Sequence, residues 1–424
     1  MHHQEHSGVL QRLQQQLRYV CSNVPCYGRF RPDNHSVLEL LSSLPIVDKS
    51  IIRQRYADFI SNDFTNIRAQ LVETLIAPEA PDRMIYEAVD RSGVLIGQTG
   101  GSTGTPFRCP KGVADRMRLG VGIWRQRAMI DASAEPGQLY PFLHHGARTT
   151  RFDPDSNDPA HLRALYEHVA ATQCRWLHAT APMLLRHLDI LQGVKWRPSL
   201  PALRFLECSS YFMKETTIDK LEDTFMAKVV DQYGLMETSV IALTCEHGVH
   251  HLNDYNTYVE ILDDEDRPAP VGVAGRIVVT SLQQRLLPFV RYVTGDYGMF
   301  IEKTCSCKLG AATIRLLEGR ESEFVAGGTQ RVSGKVLFQH GISKALMSLG
   351  NCNLKYVRII QTGVDEFVLR TNSLSEPDQF CAFLQRYTSS ELGRTVCFRH
   401  DTLDDEHIIV EDRGKSWLFR KEMV

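Results

Sequence analysis

At 424 residues the chain exceeds the size at which a single hydrophobic core keeps growing, so two domains are expected. An apolar share of 43%, a charged share of 23% and a net charge of -2 exclude a highly charged disordered chain, and they give no reason to expect nucleic acid or an anionic membrane as partner. No apolar run approaches the ~18 residues of a spanning helix, and the start "MHHQEHSGVLQRLQQQL" lacks the basic and long apolar regions of a signal peptide. The cytoplasm is therefore the expected compartment, with most of the eleven cysteines reduced and any clustered ones better suited to metal than to disulfides.

Taken in chain order, "VLQRLQQQLRYV" from Val9 to Val20 reads as an amphipathic helix that ends near Pro25 and Gly28. Between residues 60 and 320, β-rich runs alternate with helical ones: "VLIGQ" before "DRMRLGVGIWRQRAMI", "CRWLHA" before "PMLLRHLDILQ", and "LRFLECSS" before "ETTIDKLEDTF" and "AKVVDQYG". Strand–helix alternation of this kind predicts an α/β architecture with largely parallel strands. From Tyr258 the pattern shifts to short strands with Pro and Gly at the corners, as in "TYVEILDDEDRPAPVGVAGRIVVTSL". After the Gly-rich passage "GRESEFVAGGTQRVSG", "LFQHGISKALMSL", "KYVRIIQT", "EFVLRT", "PDQFCAFLQRYTSSEL" and "EHIIVED" read as helix, strand, strand, helix, strand. The expected organisation is a large multi-layered α/β domain over residues 1–320 and a small, mobile α+β domain over 321–424, hinged at the glycines.

One loop carries chemistry. In "QTGGSTGTPFRCP", Gly100, Gly101 and Gly104 let the backbone approach a ligand closely, while Ser102, Thr103 and Thr105 add hydroxyls, and successive N–H groups can form an anion nest. That chemistry suits phosphate. Neither common phosphate fingerprint fits, since there is no G-x-G-x-x-G and no lysine after the second glycine. On composition alone a plain flexible loop remains open; its place directly after a strand favours a ligand.

"TGGSTGTP" resembles the Gly/Ser/Thr-rich phosphate loop of the adenylate-forming superfamily, which includes acyl-CoA synthetases, peptide-synthetase adenylation domains and luciferases. "DQYGLMET" at Asp231–Thr238, "RYVTGDYG" at Arg291–Gly298 and "LEGRES" at Leu317–Ser322 follow in that superfamily's order and approximate spacing. With "NVPCYGRF", "LPIVDKSIIRQRY" and the compact length, the chain looks most like the phenylacetate–CoA ligase branch (CapK and coenzyme F390 synthetase-like), over nearly its whole length.

The resemblance implies that Thr99, Gly100, Gly101, Ser102, Thr103 and Gly104 hold the β/γ-phosphates of ATP. Tyr233 and Gly234 would pack against adenine, and Glu237 would ligate Mg²⁺, a hard cation suited to carboxylate and phosphate oxygens. Asp296 would accept both ribose hydroxyls, and Arg320 would reach the ribose or a phosphate. Lys415, in "DRGKSWLFR", matches the superfamily's Gly-Lys near the end, whose ammonium meets the charge developing on the α-phosphate and carboxylate. Three departures stand out. Met236 replaces the usual Thr or Ser before the glutamate, leaving Thr238 as the substitute hydroxyl. "SSYFM", with Ser210 and Tyr211, falls where the branch has a Gly-Ala-Glu-Pro-like adenine loop, and Glu321–Ser322 replaces an acidic pair at the hinge. His144 and His145 in "PFLHHGARTTRF", and His178 in "RWLHATAPMLLRHL", are candidates for the acid's pocket.

Cys245, His251, Cys305 and Cys307 all lie in the strand-and-turn region of about residues 240–310. Three thiolates and an imidazole make a closed tetrahedral zinc set with no open position for catalysis. Some members of the branch carry a similar site. His247 and His250 rival His251, which is preferred because "HHLND" resembles the branch's own stretch.

The expected activity is ATP-dependent conversion of a carboxylic acid, aryl or arylacetic by analogy with the branch, to an acyl-adenylate with release of pyrophosphate. Transfer to the thiol of coenzyme A would follow. Amide synthesis on an amine acceptor, or a degenerate member that binds nucleotide or acid without turnover, are the alternatives. A homodimer is left open.

Overall fold

In the computed structural model, residues 7–32, 35–77, 87–89, 93–99, 107–135, 139–143, 152–210, 212–302, 305–307, 309–320, 323–327, 332–350, 356–372, 374–402 and 418–421 are described. The chain begins with five helices, α1 (Ser7–Asn23), α2 (Val37–Ser43), α3 (Lys49–Gln54), α4 (Tyr56–Phe59) and α5 (Thr65–Ile76). Val9, Leu13, Leu17 and Val20 recur at helical spacing on α1, and all four are buried. A capping box starts α2: the Ser36 side chain accepts from the Glu39 N–H, and the Glu39 carboxylate accepts from the Ser36 N–H.

Next comes a small sheet of β1 (Glu87–Val89), β2 (Val94–Gln98) and β3 (Arg108–Lys111), antiparallel throughout. The glycine loop therefore joins two strands of a hairpin. It does not lead from a strand directly into a helix; α6 (Val113–Ile130) begins only after β3. Sequence periodicity passes over β3 because its four residues, "RCPK", show no alternation long enough to register.

The large sheet follows, with β4 (Leu139–Leu143), α7 (Pro159–Ala171), β5 (Trp176–Ala179), α8 (Ala181–Gly193), β6 (Phe205–Ser209), α9 (Glu215–Phe225) and β7 (Lys228–Leu235). Then come β8 (Ser239–Thr244), β9 (His250–Leu252), β10 (Thr257–Leu262), β11 (Gly275–Ser281), β12 (Tyr292–Ile301) and β13 (Thr313–Arg320). These ten strands form one sheet in the order β10-β11-β12-β13-β9-β8-β7-β6-β5-β4. The run from β4 to β7 is parallel, because there helices supply the long crossovers that parallel pairing needs. From β7 to β8 to β9 to β13 the pairing is antiparallel, as is β10 with β11. The expectation of largely parallel strands is thus corrected to a mixed sheet, in which short turns join β7 to β8 and β8 to β9.

Two compact units emerge from the contacts. The larger runs to Leu316, and the smaller starts at Leu317, with Gly295–Tyr297 counted in it. The larger unit has several cores. One sets α1, α2 and α5 with Val94, Ile96 and Phe107 against Leu286, Phe289 and Tyr292; another lies between α7, α8, α9 and the parallel strands. In the smaller unit, β14 (Phe324–Val325) and β15 (Val332–Ser333) precede α10 (Gly334–Leu349), β16 (Val357–Gly363), β17 (Glu366–Thr371), α11 (Pro377–Leu392), β18 (Cys397–Thr402) and β19 (Phe419–Lys421). Its four-stranded sheet runs β18-β17-β16-β19 around Phe338, Phe367, Phe380 and Phe419. The expected helix–strand–strand–helix order is present. A strand, β18, follows α11 directly, and "EHIIVED" lies outside the described residues. Among the described residues no helix is long and apolar enough to cross a membrane.

Candidate functional site

Glu237 occupies the turn between β7 and β8. The register shifts between Tyr233 and Gly234, where a Cβ on Gly234 would stand 2.9 Å from the Ser239 carbonyl, and Ser239 itself has φ +67°. The tight return needs a residue without a side chain at 234. It leaves Glu237 only 7% exposed, held at both ends: its backbone carbonyl accepts from Gln284 Nε2 at 2.8 Å, and carboxylate Oε1 accepts from the Tyr292 hydroxyl at 2.8 Å. Burial, reinforced by the carboxylate, pushes the Tyr292 phenol well above its usual value, so it stays a donor. Lys111 Nζ donates to the carbonyl of Met236, one residue before Glu237. Burial pulls the Lys111 ammonium downward while Cys109 and Glu237 oppose that pull, and burial drives the Cys109 thiol up, with Glu237 adding to it. The second Glu237 oxygen has no hydrogen bond among the described residues. A half-held carboxylate of this kind fits a hard divalent cation.

The other expected nucleotide residues are placed as follows. Tyr233 is half-buried against the core of β8–β13. Thr238 is fully buried, and its hydroxyl has no hydrogen-bond partner among the described residues, so it offers no exposed oxygen in place of the one missing at Met236. Thr99 closes the hairpin base, its N–H donating to the Phe107 carbonyl at 2.9 Å and its hydroxyl accepting from the Phe107 N–H at 3.1 Å. Asp296 follows Gly295 (φ +80°) on β12 and Arg320 ends β13; both count with the smaller unit. Ser210 is exposed with φ +68°. Gly100, Gly101, Ser102, Thr103, Gly104, Tyr211, His144, His145 and Lys415 lie outside the described residues.

His178 is placed by β5, directly across from Glu207 on β6. Its Nε2 lies 3.0 Å from Ser209 Oγ, both residues being 6% exposed. Behind them Arg127 of α6 grips Glu207 with two bonds of 2.8 Å, and its guanidinium lies over the Trp124 ring at 4.6 Å. Although burial opposes ionisation, Arg127 and His178 hold the Glu207 carboxyl below its ordinary range. The result is a buried polar chain, Arg127–Glu207 and His178–Ser209, at the carboxyl ends of parallel strands, where ligands of α/β sheets bind. The sequence singles out His178 alone, because Arg127 reads as one charge among several on α6 and Glu207 as one more strand residue. Tyr292 lies in the Arg291–Gly298 motif but carries no role there, and nothing in the sequence marks Lys111.

The cysteine constellation assembles. Cys245 Sγ lies 3.5 Å from Cys305 Sγ, Cys307 Sγ lies 3.1 Å from His251 Nε2, and all four ligand atoms fall within 4.8 Å of one another. A tetrahedral zinc with Zn–S about 2.3 Å and Zn–N about 2.0 Å spaces sulfurs by about 3.8 Å and sulfur from nitrogen by about 3.5 Å. His251 Nδ1 is 3.3 Å from the Ala311 carbonyl, the outer partner that a ligating imidazole usually has. Neighbouring residues of a strand face opposite ways, so His250 turns instead to Asp231, at 3.3 Å. His247 stands half-exposed beside Glu246.

Residues 133–284 match the AMP-binding enzyme family. A curated protein similar to part of the chain is the early 94 kDa protein of Autographa californica nuclear polyhedrosis virus, 30% identical over 110 residues; that is 24% of this chain and only 13% of that protein's length. Among solved structures, 2-hydroxyisobutyryl-CoA ligase is similar in its postadenylation state with 2-HIB-AMP (TM-score 0.60, 17% identity, 99% of this chain and 91% of that one). The same ligase in an open conformation with 2-HIB-AMP and CoA gives a TM-score of 0.58 at 17% identity, over 98% of this chain and 91% of that one. At such identities the likeness is one of fold: the chain has the mixed α/β fold of that ligase over nearly its whole length.

Proposed function

We propose that the chain is an AMP-forming acid ligase, which joins a carboxylic acid to the α-phosphate of ATP, releases pyrophosphate and passes the acyl group to the thiol of coenzyme A. The carrying observation is Glu237, buried in a turn, with one oxygen fixed by Tyr292 and the other without a hydrogen bond among the described residues, inside the stretch that matches the AMP-binding enzyme family. Mg²⁺ held there would neutralise phosphate charge. Displacement at the α-phosphorus needs no protein nucleophile; positioning and charge neutralisation carry it. The glycine loop would hold the phosphates, Tyr233 and Gly234 the adenine, Asp296 the ribose, and Lys415, borne by the smaller unit acting as a lid, the developing charge. An aryl or arylacetic acid is the proposed substrate and an amine the rival acceptor.

A second reading, nucleotide binding without turnover, is favoured by one observation: Met236 brings no hydroxyl and that of Thr238 is fully buried. ATP–pyrophosphate exchange over a panel of carboxylic acids decides between them. Exchange with any acid, lost in Lys415→Ala, supports the ligase; tight ATP binding with no exchange for any acid sinks it. Cys245, His251, Cys305 and Cys307 are proposed as a structural zinc site, since the donor set is closed.

A further inference from the structure

The turn that carries Glu237 is gripped by a hairpin from the other sheet. In the β2–β3 register Gly97 lies opposite Cys109 and Leu95 opposite Lys111. Opposed residues and their i+2 neighbours share a face of a hairpin, so these four lie on one side. That face rests on residues 236 and 237. A Cβ on Gly97 would overlap the Met236 sulfur and stand 3.0 Å from its Cγ, so the thioether fills the space that glycine leaves. From the facing strand, the Lys111 ammonium reaches the Met236 carbonyl. Met236 is thus held by its side chain through β2 and by its backbone through β3, one residue before the carboxylate. The same hairpin continues, two residues past Gly97, into the glycine loop.

We propose that Gly97, Lys111 and Met236 form a clasp that registers the Glu237 turn against the hairpin carrying the glycine loop, with Lys111 and Met236 as positioning residues for the nucleotide. The inference rests on the reading of that loop as a phosphate holder. It also accounts for the methionine at 236, since a long, unbranched thioether conforms to an irregular gap beside a bare backbone. A half-buried ammonium on a carbonyl adds a directed, charge-assisted bond. Groups that act together on one ligand must be held to roughly 0.5 Å, and a supporting shell of this kind supplies that.

The test is a cycle read in two ways: thermal melting, and binding of N-methylanthraniloyl-ATP with Mg²⁺ in excess, measured in the cold where the variants are folded. Gly97→Ala drives a methyl into Met236 and should lower melting by roughly 3 °C or more and weaken nucleotide binding about fivefold or more. Adding Met236→Ala removes the obstacle and should recover at least half of both losses. Lys111→Met keeps the length and apolar contact but removes the donor, and should weaken binding about fivefold; a purely structural lysine would shift melting and leave affinity unchanged. Independent, additive effects of Gly97→Ala and Met236→Ala, or wild-type affinity in Lys111→Met, overturn the clasp. Should Gly97→Ala fail to fold, recovery of soluble protein by Met236→Ala supports it, and if both fail the affinity of Lys111→Met decides. A wild-type chain that binds no nucleotide and exchanges no pyrophosphate sinks the proposed function instead; the melting cycle then still decides the clasp.

Discussion

Replacing Cys307 by serine tests the proposed zinc site most sharply. Cys307 Sγ faces His251 Nε2 at 3.1 Å, and Cys245 and Cys305 stand 3.5 Å apart, both somewhat inside the edges of a zinc tetrahedron. The four side chains come from three places: the turn after β8, strand β9, and the turn between β12 and β13. A metal would therefore tie that second turn, in which Leu309 is the buried residue among those described, to the β8–β9 hairpin. In small zinc modules the apparent binding energy is roughly 10–16 kcal/mol, an upper bound here because β9 is already paired with β8 and β13. Even a small part of it should be visible as a fall in melting temperature of about 5 °C or more. Metal quantification on wild-type protein purified without chelator should find about one equivalent of zinc. Cys307→Ser should lose most of it, while Cys397→Ser, exposed in the smaller unit, should keep it. His250→Ala should keep it too, because that ring is turned to Asp231. Wild-type protein that is free of metal and indifferent to chelators would refute the assignment.

Three further outcomes are expected. Tyr292→Phe keeps the ring packed on Phe289 but removes the donor to Glu237, so pyrophosphate exchange should slow by about tenfold; an unchanged rate would show that the carboxylate needs no such support. Glu207→Gln leaves the Arg127 guanidinium buried without a countercharge and should cost about 3–5 kcal/mol in denaturant unfolding. Most of that should return when Arg127→Met is added, and an equal loss in the double variant would refute the ion-pair account. His187 is fully buried between the Tyr166 hydroxyl and the Pro154 carbonyl, and burial lowers its pKa, the carbonyl opposing. Only the unfolded chain then gains a proton as pH drops below about 6.5, so this contribution is complete above that value and is lost as pH falls toward the folded pKa. Between about pH 7.5 and about pH 5, His187→Gln should show a shallower loss of stability than wild type; parallel slopes would contradict the assignment.

The sequence by itself determined the α/β class, the helices and strands with clear periods, and the order of the motifs. Those signals are local: buried faces recur at 3.6 or 2 residues, and glycines mark turns whatever the rest of the chain does. Composition also marked Cys245, His251, Cys305 and Cys307, since thiols and imidazoles are few and each reads as a ligand. Only tertiary structure decided which histidine turns toward the thiols, because Cβ direction along β9 depends on register with β8 and β13. It also turned the expected strand–loop–helix into a hairpin, a choice made by pairing between β2 and β3 rather than by either strand's composition. The surroundings of Glu237 belong to the same class. Lys111, Gln284 and Tyr292 lie 126, 47 and 55 positions away from it in the chain, and nothing local ties them to a carboxylate that they meet only once the sheets are built.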